Sequence, residues 1–593
     1  MTRPRPTARP RLEALETRQL LATFTVTSTD DAGAGSLRDA ITRANATVEP
    51  DTIAFAIPGA GPHVIRPRSI LPEVTGTLAI DGYTQPGARP NRLEVGTDAQ
   101  LEVVLDGTAL PERVEPDDPP ATLLILGGSG SLVRGLAFRG GESGVILLGA
   151  GNAVEGCFFG TTADGSSAAA KLTFGVAVSR ATDARVGGTT PEARNLVSNN
   201  GQGIVVGGGA RRTRIQGNLV GTDATGTRAL PNANGIQLLF DVEDTLVGGT
   251  EPGAGNTISG NTYDALFAFF GTARTTVQGN LIGVDATGTR PLGNGASGVT
   301  IQGGPGPNLI GGTEPGAGNV IANSAFFGVN MNGRGSQVAL GNSLYASGLE
   351  GLKVERAGPA GLEILAPPVL VAADWRVGGP TVRGRLDTLP GEAYRIEFFA
   401  SPARATSGRG EGQTFLGALT LPAGAGGPVA FAFDAPVVPT GQLLTATATS
   451  TRVADGVGLT STFSNAVVAP DTQSPVVVSA VRVGFHMRPT RLVLTADEPL
   501  DRASATDLAH YRLVGTGPDG RLGTRDDRVL KIKTVTLDPA GTTITVGPRL
   551  RLPRTLRFRL TVSGVTDPAG NPLQGPGGGP YIADFGPPAR RPR

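Results

Sequence analysis

The stretch QGNLVGTDATGTRAL, Gln216 to Leu230, returns almost unchanged as QGNLIGVDATGTRPL, Gln278 to Leu292. Aligned on their apolar positions, VEGCFFGTTADG from Val154, IQGNLVGTDATG from Ile215 and VQGNLIGVDATG from Val277 follow one another at 61 and 62 residues. A looser copy, ALGNSL from Ala339, comes 62 residues later. A second phrase is interleaved with the first: VGGTTPEARNLVSNN from Val186, VGGTEPGAGNTISGN from Val247 and IGGTEPGAGNVIANS from Ile310. Short apolar runs start between them at Gly203, Gly235, Ala265, Gly298 and Gly328. The repeating unit is therefore about thirty residues long, two to each 62-residue pair. One member carries the GTDATGTRAL insertion and the other carries GGTEPGAG.

Apolar runs this short, closed by Gly and Asn corners, do not make an ordinary hairpin sheet. They fit a parallel β-helix, where each coil gives one short strand to each of several flat sheets. Alternate residues then point inward. Asn218, Asn280 and Asn342 fall at equivalent corners, as do Asn200 and Asn261. Stacked Asn side chains bond to one another and to turn backbone, satisfying polar groups at a crowded bend. Cys157 falls where those Asn fall, which predicts a buried, structural thiol.

The bulk composition agrees with many strands and many turns. Of 593 residues, 88 are Gly and 46 Pro, while aromatics make up only 5%. With 52 basic against 51 acidic residues the net charge is +1, so the chain offers no general basic field for nucleic acid. Cys157 is the lone cysteine, which excludes an intrachain disulfide and a cysteine-built metal site. No apolar run approaches the ~20 residues of a helical membrane span.

The Gly-rich repeats are not phosphate cradles, because GTDATG lacks the P-loop lysine and no βαβ pattern surrounds it. Each insertion supplies a single carboxylate (Asp164, Asp223 or Asp285), whereas calcium takes six to eight oxygens; turn formation explains them better. The strongest candidate for a cation is GPDGRLGTRDDRV, where Asp519, Asp526 and Asp527 share one loop. Calcium there competes with neutralisation by Arg521, Arg525 and Arg528. No other cofactor is indicated. A β-helix hosts many polysaccharide lyases and hydrolases, but residues 120–360 contain no His. Lys171, Lys353, Arg211, Arg212 and Arg214 are available as bases, and Asp241, Glu243 and Asp244 form the nearest acidic group. No catalytic residue is assigned.

Three resemblances add to this reading. RLEALETRQLLA, Arg11 to Ala22, resembles the LEPR-XLL-type motif that opens many large exported proteins of planctomycete bacteria. GSLRDAITRAN, Gly35 to Asn45, resembles the CSLREA-type start of bacterial right-handed β-helix proteins, with Gly35 in place of the leading Cys; AIDGYTQPGARPN, from Ala79, is similar to a further phrase of that family. RLVLTADEPLDRASATDLAHYRLVG, from Arg491, and VSGVTDPAGNPL, from Val562, resemble a bacterial Ig-like module of S-layer type. Within GSLRDAITRAN, Ser36 with Asp39 resembles a capping box ahead of a helical face of Leu37, Ile41 and Ala44.

The expectation is an all-β chain, a right-handed parallel β-helix followed by two β-sandwich, Ig-like domains. Its parts are an export tail (1–22), a cap with first coils (23–115), the repeating coils (116–365), a sandwich (366–470) and an Ig-like module (471–593). The expected role is a non-catalytic extracellular or cell-surface structural or adhesion protein. Its partner would be polysaccharide or another cell-envelope component, with no nucleic acid and no membrane span. The alternative is a polysaccharide lyase or glycoside hydrolase working in a groove on the coils.

Overall fold

The computed structural model describes residues 22–111, 120–358, 361–376, 379–403, 410–439, 441–452, 458–469, 474–484, 490–553, 555–575 and 578–586. The tail expected in residues 1–22 (save Ala22), His486 and the C-terminal basic run lie outside them. The chain folds as two compact units. One comprises residues up to Ala372 with Val382–Ala435 and Leu443–Val467; the other comprises Ala373–Thr381, Pro436–Gln442 and the chain from Val468 onward.

The first unit is built on three long parallel sheets, a parallel β-helix-like arrangement. Sheet I starts at Thr23–Val26 and takes one strand per coil up to Gln337–Leu340. Sheet II runs from His63–Ile65 to Ser343–Tyr345, and sheet III from Thr122–Leu126 to Glu350–Gly358. In sheet I, Val154, Val186, Ile215, Val247, Val277, Ile310 and Ala339 are direct register partners, coil to coil. These are the first residues of both repeated phrases, so the two phrases are one corner of the coil with different insertions. Each of the seven points inward and is almost wholly buried, where a Val or Ile side chain contributes about 1.5–3 kcal/mol.

The insertions alternate in place as well as in sequence. GTDATGTRAL follows the sheet II strand and closes on an antiparallel bridge, Thr222 to Ala229, repeated as Val284 to Pro291 and Thr161 to Ala168. Asp223 organises that turn: it accepts from the Thr225 hydroxyl (2.8 Å), the backbone N–H of Thr227 (3.1 Å) and the Arg228 guanidinium (2.9 Å). Burial alone would raise its pKa, but these donors outweigh burial and hold the carboxyl below the usual range. Asp285 repeats the turn with the Thr287 hydroxyl and the backbone N–H groups of Thr289 and Arg290, without the guanidinium contact.

Open ends of stacked sheets invite edge-to-edge pairing, and this unit covers both. At the start, the helix Leu37–Ala44 buries Leu37, Ala40, Ile41 and Ala44. Ser36 caps it, accepting from the Asp39 N–H at 3.2 Å. Only this half of the capping box forms: the shorter Asp39 side chain turns to Arg43 instead, 3.7 Å away. At the far end, Gly458–Thr460 adds to sheet I beside Gln337 and leads into the antiparallel strands Leu443–Arg452, Glu392–Ser401 and Thr414–Leu421. Leu344 of sheet II exchanges both backbone hydrogen bonds with Gly412, at 2.8 and 2.9 Å. Sheet III ends on the antiparallel strand Gly361–Glu363. The Glu411 carboxylate seals the last corner, accepting from the N–H groups of Ala346 (2.8 Å) and Ser347 (2.9 Å).

In the second unit two antiparallel four-stranded sheets enclose one apolar core. Val477–Val483, Arg491–Ala496, Thr543–Pro548 and Ile532–Leu537 form one sheet; Arg528–Leu530, Tyr511–Gly515, Phe558–Val562 and Tyr581–Phe585 form the other. Leu494, Val546, Leu513, Phe558 and Leu560 fill the space between them.

Candidate functional site

Asn218, Asn280 and Asn342 lie in one row, separated by Asn256 and Asn319. The row begins with Asn195, and each amide Nδ2 donates to the next Oδ1 at 2.8–2.9 Å. Asn200 and Asn261 belong to a second row, Asn200–Asn232–Asn261–Asn294, with steps of 3.0 Å. Asn195, Asn256 and Asn319 were legible in the second phrase (ARNL, AGNT, AGNV) but fell in a different frame from the first.

Cys157 heads the first row, its N–H donating to Asn195 Oδ1 at 2.9 Å. Its thiol faces the carbonyls of Glu155 (3.4 Å) and Val133 (3.8 Å). These are the acceptors an Asn uses here, since Asn218 donates to Gln216 and Val186 at matching positions. Cys157 is fully buried, and that burial pushes its pKa up to about 12. Maleimide labelling is therefore expected only after unfolding in denaturant; rapid labelling of the native chain would reopen a nucleophilic role.

In the acidic corner at Asp241–Asp244, Glu243 and Asp244 are paired with arginines. Arg212 grips Asp183 with two bonds of 2.8 Å, Arg274 holds Asp244 at 2.6 and 3.1 Å, and Glu243 pairs with both Arg211 and Arg274. Asp183, Arg212, Asp244 and Arg274 all have φ between 53° and 57°. They form a surface row of alternating charge, one residue per coil. Each exposed pair contributes about 0–1 kcal/mol, so the row settles the charge of Asp183, Arg211, Arg212, Glu243, Asp244 and Arg274 locally.

In the loop near Asp519, the carboxylates accept hydrogen bonds from the loop itself. Asp526 takes the Thr524 hydroxyl at 2.7 Å and the Asp519 N–H at 3.2 Å; the hydroxyl first, then the N–H, lower its pKa. Asp527 takes the Gly523 N–H at 2.7 Å, and Asp519 takes that of Arg521 at 2.9 Å. Among the described residues, no group of three or more His, Cys, Asp or Glu is placed to hold a metal ion. Chelator is accordingly expected to leave the melting of the full chain unchanged. A fall in melting temperature that Asp526→Asn abolishes would instead assign calcium to this loop.

Composition concealed another feature, because aromatics are few but concentrated. On the outer face of sheet III, one row reads Val205, Gln237, Phe267, Thr300, Asn330, Lys353 and the next Leu239, Phe269, Gln302, Asn332, Glu355. Phe267 and Phe269 approach to 5.5 Å between ring centroids. Phe240 and Phe270 extend the patch, stacked at 6.0 Å and 8°. They are 57% and 54% exposed, and their φ values are 60° and 47°. A bulky side chain in the left-handed region costs about 1–2 kcal/mol. The same conformation recurs at Asp183, Arg212, Asp244 and Arg274, so it marks coil corners, and it is the exposure of two stacked rings there that stands out. Tyr263 and Phe326 stand exposed where the strands enter the same sheet. Rings flanked by amides supply apolar faces and paired donors and acceptors together. The sequence signal was the run FAFF at 267–270, whose first two Phe alternate outward on a strand.

No family model matches the chain, and no curated protein matches it. Among solved structures, one similar chain is titled "Crystal structure of the N-terminal part of the bacterial S-layer protein SbsC". The likeness is 21% identical and covers 19% of this chain and 23% of that one, with a TM-score of 0.15. A match that loose carries no argument about fold or role. Among the described residues no helix is long and apolar enough to cross a membrane.

Proposed function

We propose that this is a non-catalytic structural protein of the cell surface or exterior that holds polysaccharide on the outer face of sheet III. In this reading the coils wind right-handed and the two sandwiches are Ig-like, as the sequence resemblances imply, within the limits 116–365, 366–470 and 471–593. The observation that carries it is the exposed, stacked Phe240–Phe270 pair beside Phe267 and Phe269, continued by Gln302, Asn330 and Asn332. A pyranose ring offers C–H groups to an aromatic face and adjacent hydroxyls to an amide. The paired charges at Asp183, Arg212, Glu243, Asp244 and Arg274 count against the alternative of a lyase or hydrolase, which needs an uncompensated base or acid.

The test is retention of the full chain on insoluble cellulose, chitin, xylan and polygalacturonate, scored alongside release of soluble sugar. Retention without product is expected on at least one of them. Phe267→Ala with Phe269→Ala should weaken that retention about thirty-fold, the effect of losing about 2 kcal/mol at a binding hot spot. Product release would favour the enzyme, and retention untouched by the double variant would remove the sheet III face from the reading.

A further inference from the structure

The second unit has a cleft that its sandwich core does not require. The strand Arg528–Leu530 lies at the edge of one sheet and Ile532–Leu537 at the edge of the other, so the chain crosses between sheets at Lys531. A cleft of about 670 Å³ opens beside this crossing. Its apolar lining comes from Leu530, Leu552, Leu556 and Phe558, with Val529 and Leu550 also at its wall. Val529 is 64% and Leu550 78% exposed, apolar surface left open to water next to an apolar cavity. The Arg482 guanidinium fixes the far wall: it donates to the carbonyls of Leu552 (3.0 Å) and Pro553 (3.2 Å) and lies 5.1 Å from the centre of the Phe558 ring.

The charged residues lining the cleft are of one sign. Arg528, Lys531, Arg549 and Arg551 line it, and no Asp or Glu is among the described residues that do. Four cations together are a local excess in a chain whose net charge is only +1. A second, independent observation lies inside. Thr516 lines the cleft and is 3% exposed, yet its hydroxyl has no hydrogen-bond partner. Its backbone N–H is already bonded to Arg557 O at 3.0 Å. Thr516 follows Gly515, whose strand partner is Arg528, so Thr516 and Arg528 are backbone neighbours at one end of the cleft. A buried hydroxyl without a partner calls for one, and a carboxylate satisfies a hydroxyl and a guanidinium together.

We propose that this cleft binds an amphiphilic carboxylate, an alkyl chain ending in an acid group. The chain lies on Leu530, Leu552, Leu556 and Phe558, and the acid meets Thr516 and the Arg528 end of the basic rim. A cleft both mainly apolar and wholly cationic fits this class better than a sugar acid, which has no apolar body, or a neutral lipid, which has no charge.

The experiment is a fluorescence titration of the full chain with 11-(dansylamino)undecanoate. A saturable, blue-shifted signal with one site per chain is expected, displaced by dodecanoate but not by dodecyltrimethylammonium or polygalacturonate. Arg528→Glu with Arg549→Glu should weaken binding at least tenfold while the melting profile stays native. Thr516→Val should weaken binding several-fold yet leave the melting temperature of the unligated chain equal or higher, a combination that a purely structural hydroxyl would not give. Sedimentation with vesicles of phosphatidylcholine and phosphatidylglycerol (3:1) separates the sources: co-sedimentation blocked by dodecanoate points to an acyl tail held in a membrane, and its absence to a free acid. No saturable signal, equal displacement by the cationic amphiphile or by polygalacturonate, or full affinity in the natively melting double variant would each overturn the proposal.

Discussion

Replacing Asn256 with alanine is expected to loosen the middle of the coil stack by about 4 kcal/mol. Its Oδ1 accepts from both the backbone N–H and the Nδ2 of Asn218, while its Nδ2 donates to Ile215 O and to Asn280 Oδ1. All four groups would be left inside a corner where Asn218, Asn256 and Asn280 are each 1% exposed. An unsatisfied buried polar group costs about 1–3 kcal/mol, and partial relaxation keeps the sum below the simple total. Because solenoids unfold locally, the effect is best read as amide exchange at residues 214–220 and 276–282. Exchange there should accelerate by about three powers of ten, at 1.4 kcal/mol per factor of ten. Exchange near Val104, several coils away in sheet II, should change little. A uniform or negligible change would mean that the ladder does not hold the coils.

Glu411→Ala is the second large effect, placed at the end of the stack. It strips the acceptor from the Ala346 and Ser347 N–H groups and uncovers the last edge of the coils, for a loss of about 2–4 kcal/mol. The result should be faster exchange at residues 343–347 together with concentration-dependent association on size exclusion, as an exposed edge finds partners. Glu411→Gln keeps one acceptor oxygen and should lose less. Burial, even against those two donors, holds the Glu411 carboxyl above the usual glutamate range. A raised folded-state pKa means that the charged form is costly. The contribution of this group is therefore fully present below the unfolded value and declines as pH rises through the folded one. Mild acid should not loosen this joint, and the Gln variant should lose that pH dependence.

The coils were legible because their physics repeats. A residue such as Val247 must be apolar in every coil, so the 62-residue period registers in the letters themselves. The Asn rows were half legible: Asn218, Asn280 and Asn342 share a phrase, while the intervening Asn256 and Asn319 sit behind the GGTEPGAG insertion, which hides their equivalence. The joint at Glu411, Thr460 and Leu344 was not legible at all. It depends on single side chains and one backbone pair brought together across more than sixty residues of sequence, and one glutamate carries no periodic signal. The aromatic face was missed for a similar reason. Phe240 stands alone as a letter and the run at 267–270 reads as an ordinary strand, so only the exposure and stacking of the rings set them apart. The cleft beneath Arg482 gathers residues from strands and loops whose pairing no local pattern announces.

The central claim, that sheet III presents a sugar-binding face, is tested most directly by hydroxyl-radical footprinting of the full chain with and without a polysaccharide that retains it. Oxidation is normalised to Leu550, which lies in the other unit and is 78% exposed. The account predicts that Phe240 and Phe270, and with them Phe267 and Phe269, lose most of their oxidation when the polysaccharide is bound. Retention with unchanged oxidation at all four rings would contradict it.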